Sequence, residues 1–329
     1  MNGYAPTDAP MNLVGCDILT VRDGAIVRND AYNDTMTFAR QAGIMPPAHS
    51  AADEALRTLT NMRTVTRRRL AAGNVEAVAD GVWLLRGGMP GQIMNVYLIR
   101  DGHGVLVFDG GIKSMTAAVR TAAAQFGGAT RTVLGHGHHD HRGVTAALGV
   151  PVYCHPAEVG LVEGDAGYCD YQIDNLRGPA RYLLPRLLKR WDGGPVAVSK
   201  TLEEGDEIAG FRVIPLPGHT RGSIGLWREY DGVALTSDCY YSINVETGLK
   251  SAPSVPHSAF TVDLDMARQS IRKLASLNPS VTLAGHGDPL RGAVTEQLCV
   301  LTRTTAEAKP HTAPVPVVLG VSGYAMVSR

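Results

Sequence analysis

Residues 135–143 read GHGHHDHRG and concentrate potential metal ligands, with four histidines and one aspartate at positions 136–141. A short apolar strand is predicted just before them (Thr132–Leu134), and a helix after them from about Gly143. Imidazole nitrogens and carboxylate oxygens are common ligands of Zn²⁺ and similar ions. Burying so many ionisable groups together without a metal would be costly. Groups that alternate along a bent loop can reach two ions, so the stretch predicts a dinuclear site with these ligands: His136, His138, Asp140 and His141.

Three later segments complete the ligand set, because in each a ligand-type residue lies where a predicted strand gives way to a loop. They are LPGHT (216–220), ALTSD (234–238) and LAGHG (283–287). One such residue is weak evidence, since an aspartate after a strand is usually a cap or a turn residue. Together they raise the set to five histidines and two aspartates by adding His219, Asp238 and His286. His139 lies at an intervening position and is expected outside the ligand set.

These motifs resemble those of the metallo-β-lactamase superfamily, and the resemblance covers residues 76–292. It implies an α/β fold, a four-layer αββα sandwich with two mixed sheets face to face, helices outside, and the site at one edge. It also implies that Asp238 bridges two metal ions. One ion would be bound by His136, His138 and His219, the other by Asp140, His141 and His286. Asp109, in VFDGG (107–111), matches the family's Asp-x-Gly near the ligand loop, although Gly110 stands where Thr or Ala is frequent.

The resemblance implies hydrolysis by a hydroxide held between two divalent ions, with Zn²⁺ preferred and Fe or Mn compatible. Asp140 would both bind metal and accept a proton. Tyr241, three residues after Asp238, resembles a residue of the lactonase branch whose phenol hydrogen-bonds the substrate oxygen; it is equally consistent with simple packing. The favoured reaction is therefore opening of an ester or lactone.

Two alternatives to the lactonase-like reading stay open. A glyoxalase II-like thioesterase would need cations for a glutathione carboxylate, and Arg186 or Lys189 could supply them. The other is a non-catalytic metal-binding protein of the same fold, which the complete ligand set disfavours. A β-lactamase proper is disfavoured because no secretion signal is visible.

Residues 165–192 look like an insertion near the site. A helix is predicted there with an apolar face and a basic one. It would form either a lid over the site or a helix packed on the sandwich or against a second subunit of a homodimer. Tyr168 and Tyr171 are expected at the pocket mouth. The apolar face comprises Tyr182, Leu183, Leu184, Leu187, Leu188 and Trp191, and the basic face comprises Arg186, Lys189 and Arg190.

The remaining chain predicts three further regions. Residues 1–48 are predicted to form two strands around Asp23-Gly24 and a short helix at about 35–42. These elements resemble the last hairpin and helix of a SnoaL-like (NTF2-like) domain. Residues 49–75 predict a linker helix, and residues 293–329 a C-terminal extension.

The overall composition narrows the partners and the compartment. Lys+Arg and Asp+Glu both number 31, so the net charge is zero and nucleic acid is a poor candidate partner. The apolar stretch Val315–Val327 is too short and too interrupted by proline and glycine to span a membrane. Five scattered cysteines and the lack of a signal-like N-terminal stretch predict reduced thiols and a cytoplasmic protein. The expected partner is a small-molecule substrate.

Overall fold

The computed structural model describes residues 15–60, except 23–24, 34, 42 and 59, together with 75–88 and 91–302. The predicted Asp23-Gly24 turn and the stretch 315–327 lie outside these residues. The chain divides into two compact units, Met1–Ala72 and Gly73–Arg329. Among the described residues, no helix has both the length and the apolarity needed to cross a bilayer.

The first unit contains the predicted hairpin and short helix. Strands β1 (Gly15–Arg22) and β2 (Ala25–Asn33) pair antiparallel, and α1 (Thr35–Gln41) and α2 (51–58) follow. The Arg40 guanidinium lies 3.0 Å from the buried Asp53 carboxylate and joins the two helices. The hairpin and helix thus form as expected, and their SnoaL-like character stays a prediction.

The second unit contains two mixed sheets and a separate hairpin. The first sheet has seven strands in chain order: β3 (Val75–Ala79), β4 (Val82–Gly87), β5 (Met94–Asp101), β6 (Gly104–Phe108), β7 (Ala129–Val133), β8 (Val152–Cys154) and β9 (Lys200–Thr201). The second has six, in the order β10 (Glu207–Ile208), β11 (Phe211–Pro215), β12 (Ile224–Arg228), β13 (Val233–Ser237), β16 (Val281–Ala284) and β17 (Leu290–Arg291). The hairpin consists of β14 (Tyr241–Asn244) and β15 (Leu249–Ser254).

Helices cover the outer faces of both sheets. They are α3 (Thr116–Ala124), α4 (Thr145–Leu148), α5 (Val159–Val162), α6 (Ala180–Trp191), α7 (Leu264–Ser276) and α8 (Val294–Leu301). Short 3-10 turns occupy Lys113–Met115, Pro156–Glu158, Tyr168–Asp170 and Ile173–Asn175.

Successive side chains along a strand point to opposite faces of its sheet. Each sheet therefore packs against the other sheet on one face and against helices on the other. Leu106 and Phe108 of β6 face the second sheet and pack with Phe211 and Leu235 in the central core. Their neighbours on β6 face outward to helices α3 and α6 instead. The outer face of the second sheet packs in the same way on α7 and α8. The predicted αββα sandwich is confirmed.

Helix α7 corrects one sequence expectation. Four of its apolar residues recur at helical spacing in the sequence, which predicts that all of them pack inward: Met266, Ile271, Leu274 and Leu277. Ile271 and Leu274 are buried against the second sheet and Leu277 is partly buried, but Met266 is 41% exposed. The inward face of α7 runs through Ala267, Ile271 and Leu274, and Met266 lies about 100° around the helix from Ala267.

Candidate metal centre

Strand direction brings the candidate ligands to one edge of the sandwich. Strands β6 and β7 run parallel, so Asp109 and the 135–143 loop leave the first sheet at the same edge. In the second sheet, β11 and β13 both run antiparallel to β12, and β16 runs parallel to β13. The residues that follow these three strands therefore emerge together: His219, Asp238 and His286.

The structure groups the seven candidate residues into overlapping sets whose ligand atoms lie within 4.8 Å of one another. One set contains three histidines, His136, His138 and His219. His138 Nδ1 and His219 Nε2 in this set face each other at 3.0 Å. The other sets are His136, His141 and Asp238, and Asp140, His141 and His286. His139 belongs to none of these sets; its Nδ1 lies 3.2 Å from the Tyr171 hydroxyl instead.

Asp238 lies between the two ends of the cluster. Its Oδ2 is 3.6 Å from His219 Nε2 and 3.3 Å from His286 Nε2, and its Oδ1 is 3.4 Å from His141 Nε2. His286 Nε2 is also 3.3 Å from Asp140 Oδ2. The Asp238 carboxylate therefore faces His219 at one end of the cluster and His141 and His286 at the other. This is the geometry expected of a ligand that bridges two ions.

Two hydroxyl groups fix which nitrogen of a histidine points into the cluster. The Ser237 hydroxyl donates to Asp109 Oδ2 at 2.7 Å, so it accepts from His136 Nδ1–H at 3.0 Å. The Thr261 hydroxyl donates to the His257 carbonyl at 2.9 Å, so it accepts from His219 Nδ1–H at 3.3 Å. Both imidazoles thus present the lone pair of Nε2 to the cluster, an arrangement typical of metal-binding histidines.

Asp109 holds this hydrogen-bond network together through both of its carboxylate oxygens. Its Oδ1 accepts from Gly135 N–H at 2.8 Å, and its Oδ2 lies 3.0 Å from His141 Nδ1. Asp109 and Ser237 both have positive φ angles, 57° and 45°, a strained conformation that is concentrated at functional sites. A Cβ at Gly110 would lie 2.9 Å from the His141 carbonyl oxygen, so the tight packing accounts for glycine there.

Electrostatics divide the cluster into two ends. Burial, with repulsion from neighbouring imidazoles, lowers the pKa of His136 and His138 well below its usual value. Burial also lowers the pKa of His219 to about 4. At the other end burial acts to lower the pKa of His286, but Asp238 and Asp140 raise it to about 10. The first end therefore offers neutral lone pairs, and the carboxylates at the second end attract positive charge.

Unpartnered atoms supply a test of whether metal ions fit this cluster. Within the part of the chain that the structure describes, His136 Nε2 and Asp238 Oδ1 are buried without a hydrogen-bond partner. An unpaired buried polar atom is expensive, and both atoms point to where the other ligand atoms converge. Five histidines and two carboxylates form a donor set suited to two borderline divalent ions. The residues fit the metals that the sequence predicted.

Tyr241 and Tyr240 lie on opposite sides of the chain. The buried Tyr241 ring stands edge-on to His219 and His286, with ring centroids 6.0 and 5.7 Å away from its own. Burial raises the pKa of Tyr241 well above its usual value, so its hydroxyl keeps a proton to donate. The Tyr240 hydroxyl lies 2.9 Å from Thr282 Oγ1 in the core beneath.

A cavity with an empty volume of about 480 Å³ opens onto the cluster. Its floor includes His138, Asp140, His219, Asp238 and His286. Helix α6 and the segments around it supply an apolar wall of Tyr171, Leu184, Leu188, Trp191, Ile243 and Phe260. Tyr168 does not line this cavity; its ring lies under Lys189 Nζ at 5.2 Å.

The inserted segment is placed beside the site, with two corrections to its predicted faces. Tyr182 and Leu183 were expected on the apolar face but are 68% and 55% exposed. The inward stripe of α6 repeats at helical spacing as Leu184, Leu188 and Trp191, and Tyr182 and Leu183 lie outside this stripe. Arg186, Lys189 and Arg190 are exposed, and none of them lines the cavity as the structure describes it.

Sequence reasoning missed several residues that support the site. Ser237 and Thr261 orient histidines, Phe260 lines the cavity, and Glu158 and Asn95 hold ligand loops through backbone groups. Ser237 had a local signal, because it directly precedes Asp238 at a strand end. The other four have no signal in their own neighbourhood, since their partners come from distant segments.

Comparison with known proteins agrees with this geometry. YflN, a probable metallo-hydrolase of Bacillus subtilis (strain 168), is 31% identical over 223 residues, which are 62% of this chain and 84% of the relative. A metallo-β-lactamase family protein of Thermus thermophilus superposes with a TM-score of 0.52 at 23% identity, covering 69% of this chain and 79% of that one. A β-lactamase domain protein of Burkholderia ambifaria also gives 0.52 at 23%, with coverages of 70% and 72%.

The family-level match extends across the whole site. Residues 90–286 match the Metallo-beta-lactamase superfamily, a range that begins before β5 and ends at the last candidate ligand, His286. The matched range makes up more than half of the chain and contains all seven candidate ligands together with the strands from β5 to β16. This chain therefore belongs to the metallo-β-lactamase superfamily.

Proposed function

We propose that this protein is a dinuclear metal-dependent hydrolase that opens an ester or lactone bond in a substrate with an apolar acyl part. The observation that carries the proposal is the cavity, which joins the His/Asp cluster to an apolar wall from α6 and its neighbours. Apolar lining with a few convergent polar groups is typical of small-molecule sites.

Bound divalent ions would lower the pKa of water and polarise a carbonyl oxygen. The protein's own residues then have three tasks. The apolar wall binds the acyl part and excludes bulk water. The Tyr241 hydroxyl, protonated and directed to the cluster, donates to the substrate oxygen as negative charge develops there. Asp140, whose side chain is 16% exposed beside His286, accepts a proton at a carboxylate oxygen.

The residues that line the cavity help to decide between an ester or lactone and a glutathione thioester as the substrate. An apolar acyl thioester would fit the same wall. A glutathione thioester carries carboxylates that need cations, and no lysine or arginine lines the cavity among the described residues. The exposed Arg186 Nη1 donates to the Tyr182 carbonyl at 2.8 Å instead. An ester or lactone with an uncharged acyl part is therefore the better candidate.

A substrate screen tests the proposal. Protein loaded with Zn²⁺, and separately with Fe²⁺ or Mn²⁺, is assayed against lactones, aryl esters, acyl thioesters, a glutathione thioester and a cephalosporin. We expect lactones or esters of apolar acids to give the highest kcat/KM. The matched control is the same protein stripped with a chelator. A preference for the glutathione thioester or the cephalosporin would contradict the proposal.

A further inference from the structure

A buried carboxylate outside the ligand set joins two of the ligand loops. Glu158 ends the 3-10 turn that leads into α5, and it is fully buried. Its Oε2 accepts from Gly137 N–H at 2.8 Å, and its Oε1 accepts from Gly222 N–H at 2.8 Å. Both oxygens thus accept hydrogen bonds from backbone N–H groups of two separate loops. The nearby Thr220 hydroxyl hydrogen-bonds the Ser223 hydroxyl at 2.7 Å within the second of these loops.

These loops carry the three-histidine set. Gly137 lies between His136 and His138, and Gly222 lies in the turn that follows His219. One loop leaves the first sheet and the other leaves the second, so the 3.0 Å separation of His138 Nδ1 and His219 Nε2 depends on how the loops are held together. One backbone bond, from Ile224 N–H to the Gly135 carbonyl at 2.8 Å, also links them.

The packing around Glu158 requires glycine in both loops. A Cβ at Gly137 would lie 2.7 Å from Leu161 Cβ, and one at Gly222 would lie 2.9 Å from Glu158 Cγ. Real Cβ atoms essentially never come as close as either of these. Glycine at both positions lets the start of α5 fit between the loops, where a single carboxylate reaches both N–H groups.

We propose that Glu158 is a positioning residue that holds the two loops at the separation the three-histidine site requires for metal binding. The inference rests on the dinuclear centre of the proposed function. It does not depend on the substrate. The chemistry is that of an outer partner which pre-organises ligands, and loss of such partners typically costs about 10–100-fold in metal affinity.

The test is the variant Glu158→Gln, which keeps the length of the side chain and one acceptor oxygen. Its NH₂ group would face an N–H donor, so one loop loses its bond and moves. The matched control is Glu163→Gln at the end of α5, whose carboxylate accepts from Val198 N–H at 2.8 Å on the exposed side. Glu163→Gln makes the same chemical change in the same helix region, but its remaining oxygen can still accept from Val198 N–H, because only one oxygen of Glu163 is used.

Metal-free proteins are titrated with Zn²⁺ against a chromophoric chelator, and with Co²⁺ followed by its visible absorption. For Glu158→Gln we expect one of the two binding steps to weaken by about 10-fold, with an altered Co²⁺ spectrum. Glu163→Gln should match the parent protein. Unchanged affinities in folded Glu158→Gln would overturn the inference, as would equal weakening of both steps, which indicates general loss of structure.

A milder variant covers the case in which Glu158→Gln does not fold. Glu158→Asp keeps the negative charge but shortens the side chain by one methylene group, so the carboxylate can no longer reach both the Gly137 and the Gly222 N–H groups. We expect the same binding step to weaken by a smaller factor, and no change would overturn the inference. Because these titrations contain no substrate, a failure of the proposed ester or lactone hydrolysis leaves their outcome readable.

Discussion

At the scale of single residues, Tyr241 and Asp238 are expected to affect different properties, the rate of the reaction and the binding of metal. In the proposed function Tyr241 donates a hydrogen bond to the substrate, whereas the Asp238 carboxylate faces histidines at both ends of the cluster. Removing the donor should affect the reaction and removing the carboxylate should affect the metals. The two kinds of loss can therefore be measured independently.

Tyr241→Phe keeps the ring packed against His219 and His286 and removes only the hydroxyl. A donor to developing charge acts mainly in the transition state, so we expect kcat to fall by about 10-fold with little change in KM. Steady-state kinetics on the best substrate, with metal content verified, provide the measurement. Tyr240→Phe is the control, since its hydroxyl contacts Thr282, and an equal loss of kcat in both variants would refute the role of Tyr241.

Asp238→Ala should lose at least one metal ion per chain, because this carboxylate lies within 3.3–3.6 Å of histidine nitrogens at both ends of the cluster. His139→Ala should retain both ions, since His139 contacts Tyr171 and belongs to no ligand set. Elemental analysis of protein purified without chelator measures both. Equal metal loss in the two variants would mean that the ligand set is misassigned.

Among the elements, α6 supplies part of the cavity wall, and Arg142 at the end of the 135–143 loop holds the C-terminal end of this helix. The buried Arg142 follows His141, and its guanidinium binds Asp192 through two hydrogen bonds of 2.9 and 2.8 Å. Its Nη1 also donates to three carbonyl groups at and after α5. Asp192 caps the end of α6, so the apolar wall is tied to the loop that carries the histidines.

Leu184→Ala should widen the cavity at this wall. We expect kcat/KM for short acyl chains to fall by about 10-fold while longer chains are affected less, because removed methylene contacts are worth about 0.8 kcal/mol each. A series of esters of increasing acyl length measures the shift. Leu183→Ala, at an exposed position on the same helix, is the control. Equal profiles for the two variants would exclude α6 as the acyl wall.

The sequence predicts the ligands better than the residues that hold them. The cluster at 136–141 is contiguous, and His219, Asp238 and His286 each follow an apolar strand, so local pattern is sufficient. Glu158 and Asn95 act over long separations: 64 residues separate Glu158 from Gly222, and 189 separate Asn95 from Ala284. No local pattern encodes such pairs. The exposure of Tyr182 and Leu183 also depends on where α6 docks, which helical periodicity alone cannot give.

On the scale of the whole molecule, the candidate metal centre joins both sheets. His136, His138, Asp140 and His141 follow β7 of the first sheet, and the other three ligands follow strands of the second. Asn95 and Tyr97 of β5 add direct bonds across the layers, to the Ala284 carbonyl at 2.9 and 2.6 Å. Bound ions would therefore stabilise the sandwich as well as catalyse a reaction.

Removing the metals with a chelator should lower the melting temperature. A ligand at 1,000 times its dissociation constant stabilises by about 4 kcal/mol, which corresponds to a shift on the order of 10 °C for a domain of this size. Differential scanning calorimetry of loaded and stripped protein measures the shift, and metal readdition should reverse it. An identical melting temperature in both forms would show that the ions do not bridge the sheets.

Deleting residues 1–48 should leave metal content and hydrolysis intact. The fold divides between Ala72 and Gly73, and every candidate ligand lies in the second unit. The measurements are elemental analysis and kcat/KM of the shortened chain against the full one. A folded, shortened chain that has lost its metals would assign the N-terminal hairpin a part in the site.

Because the candidate ligands come from both sheets, the ribosome synthesises them at different times. His141 and His286 meet at 3.3 Å between their Nε2 atoms although 145 residues separate them. A growing chain carries the contiguous cluster long before the second sheet exists, so it offers an ion only half of a coordination sphere. Tight capture becomes available once the last strands have docked. Metal uptake would then report that translation and folding are both complete, and prematurely terminated chains would hold their ions weakly.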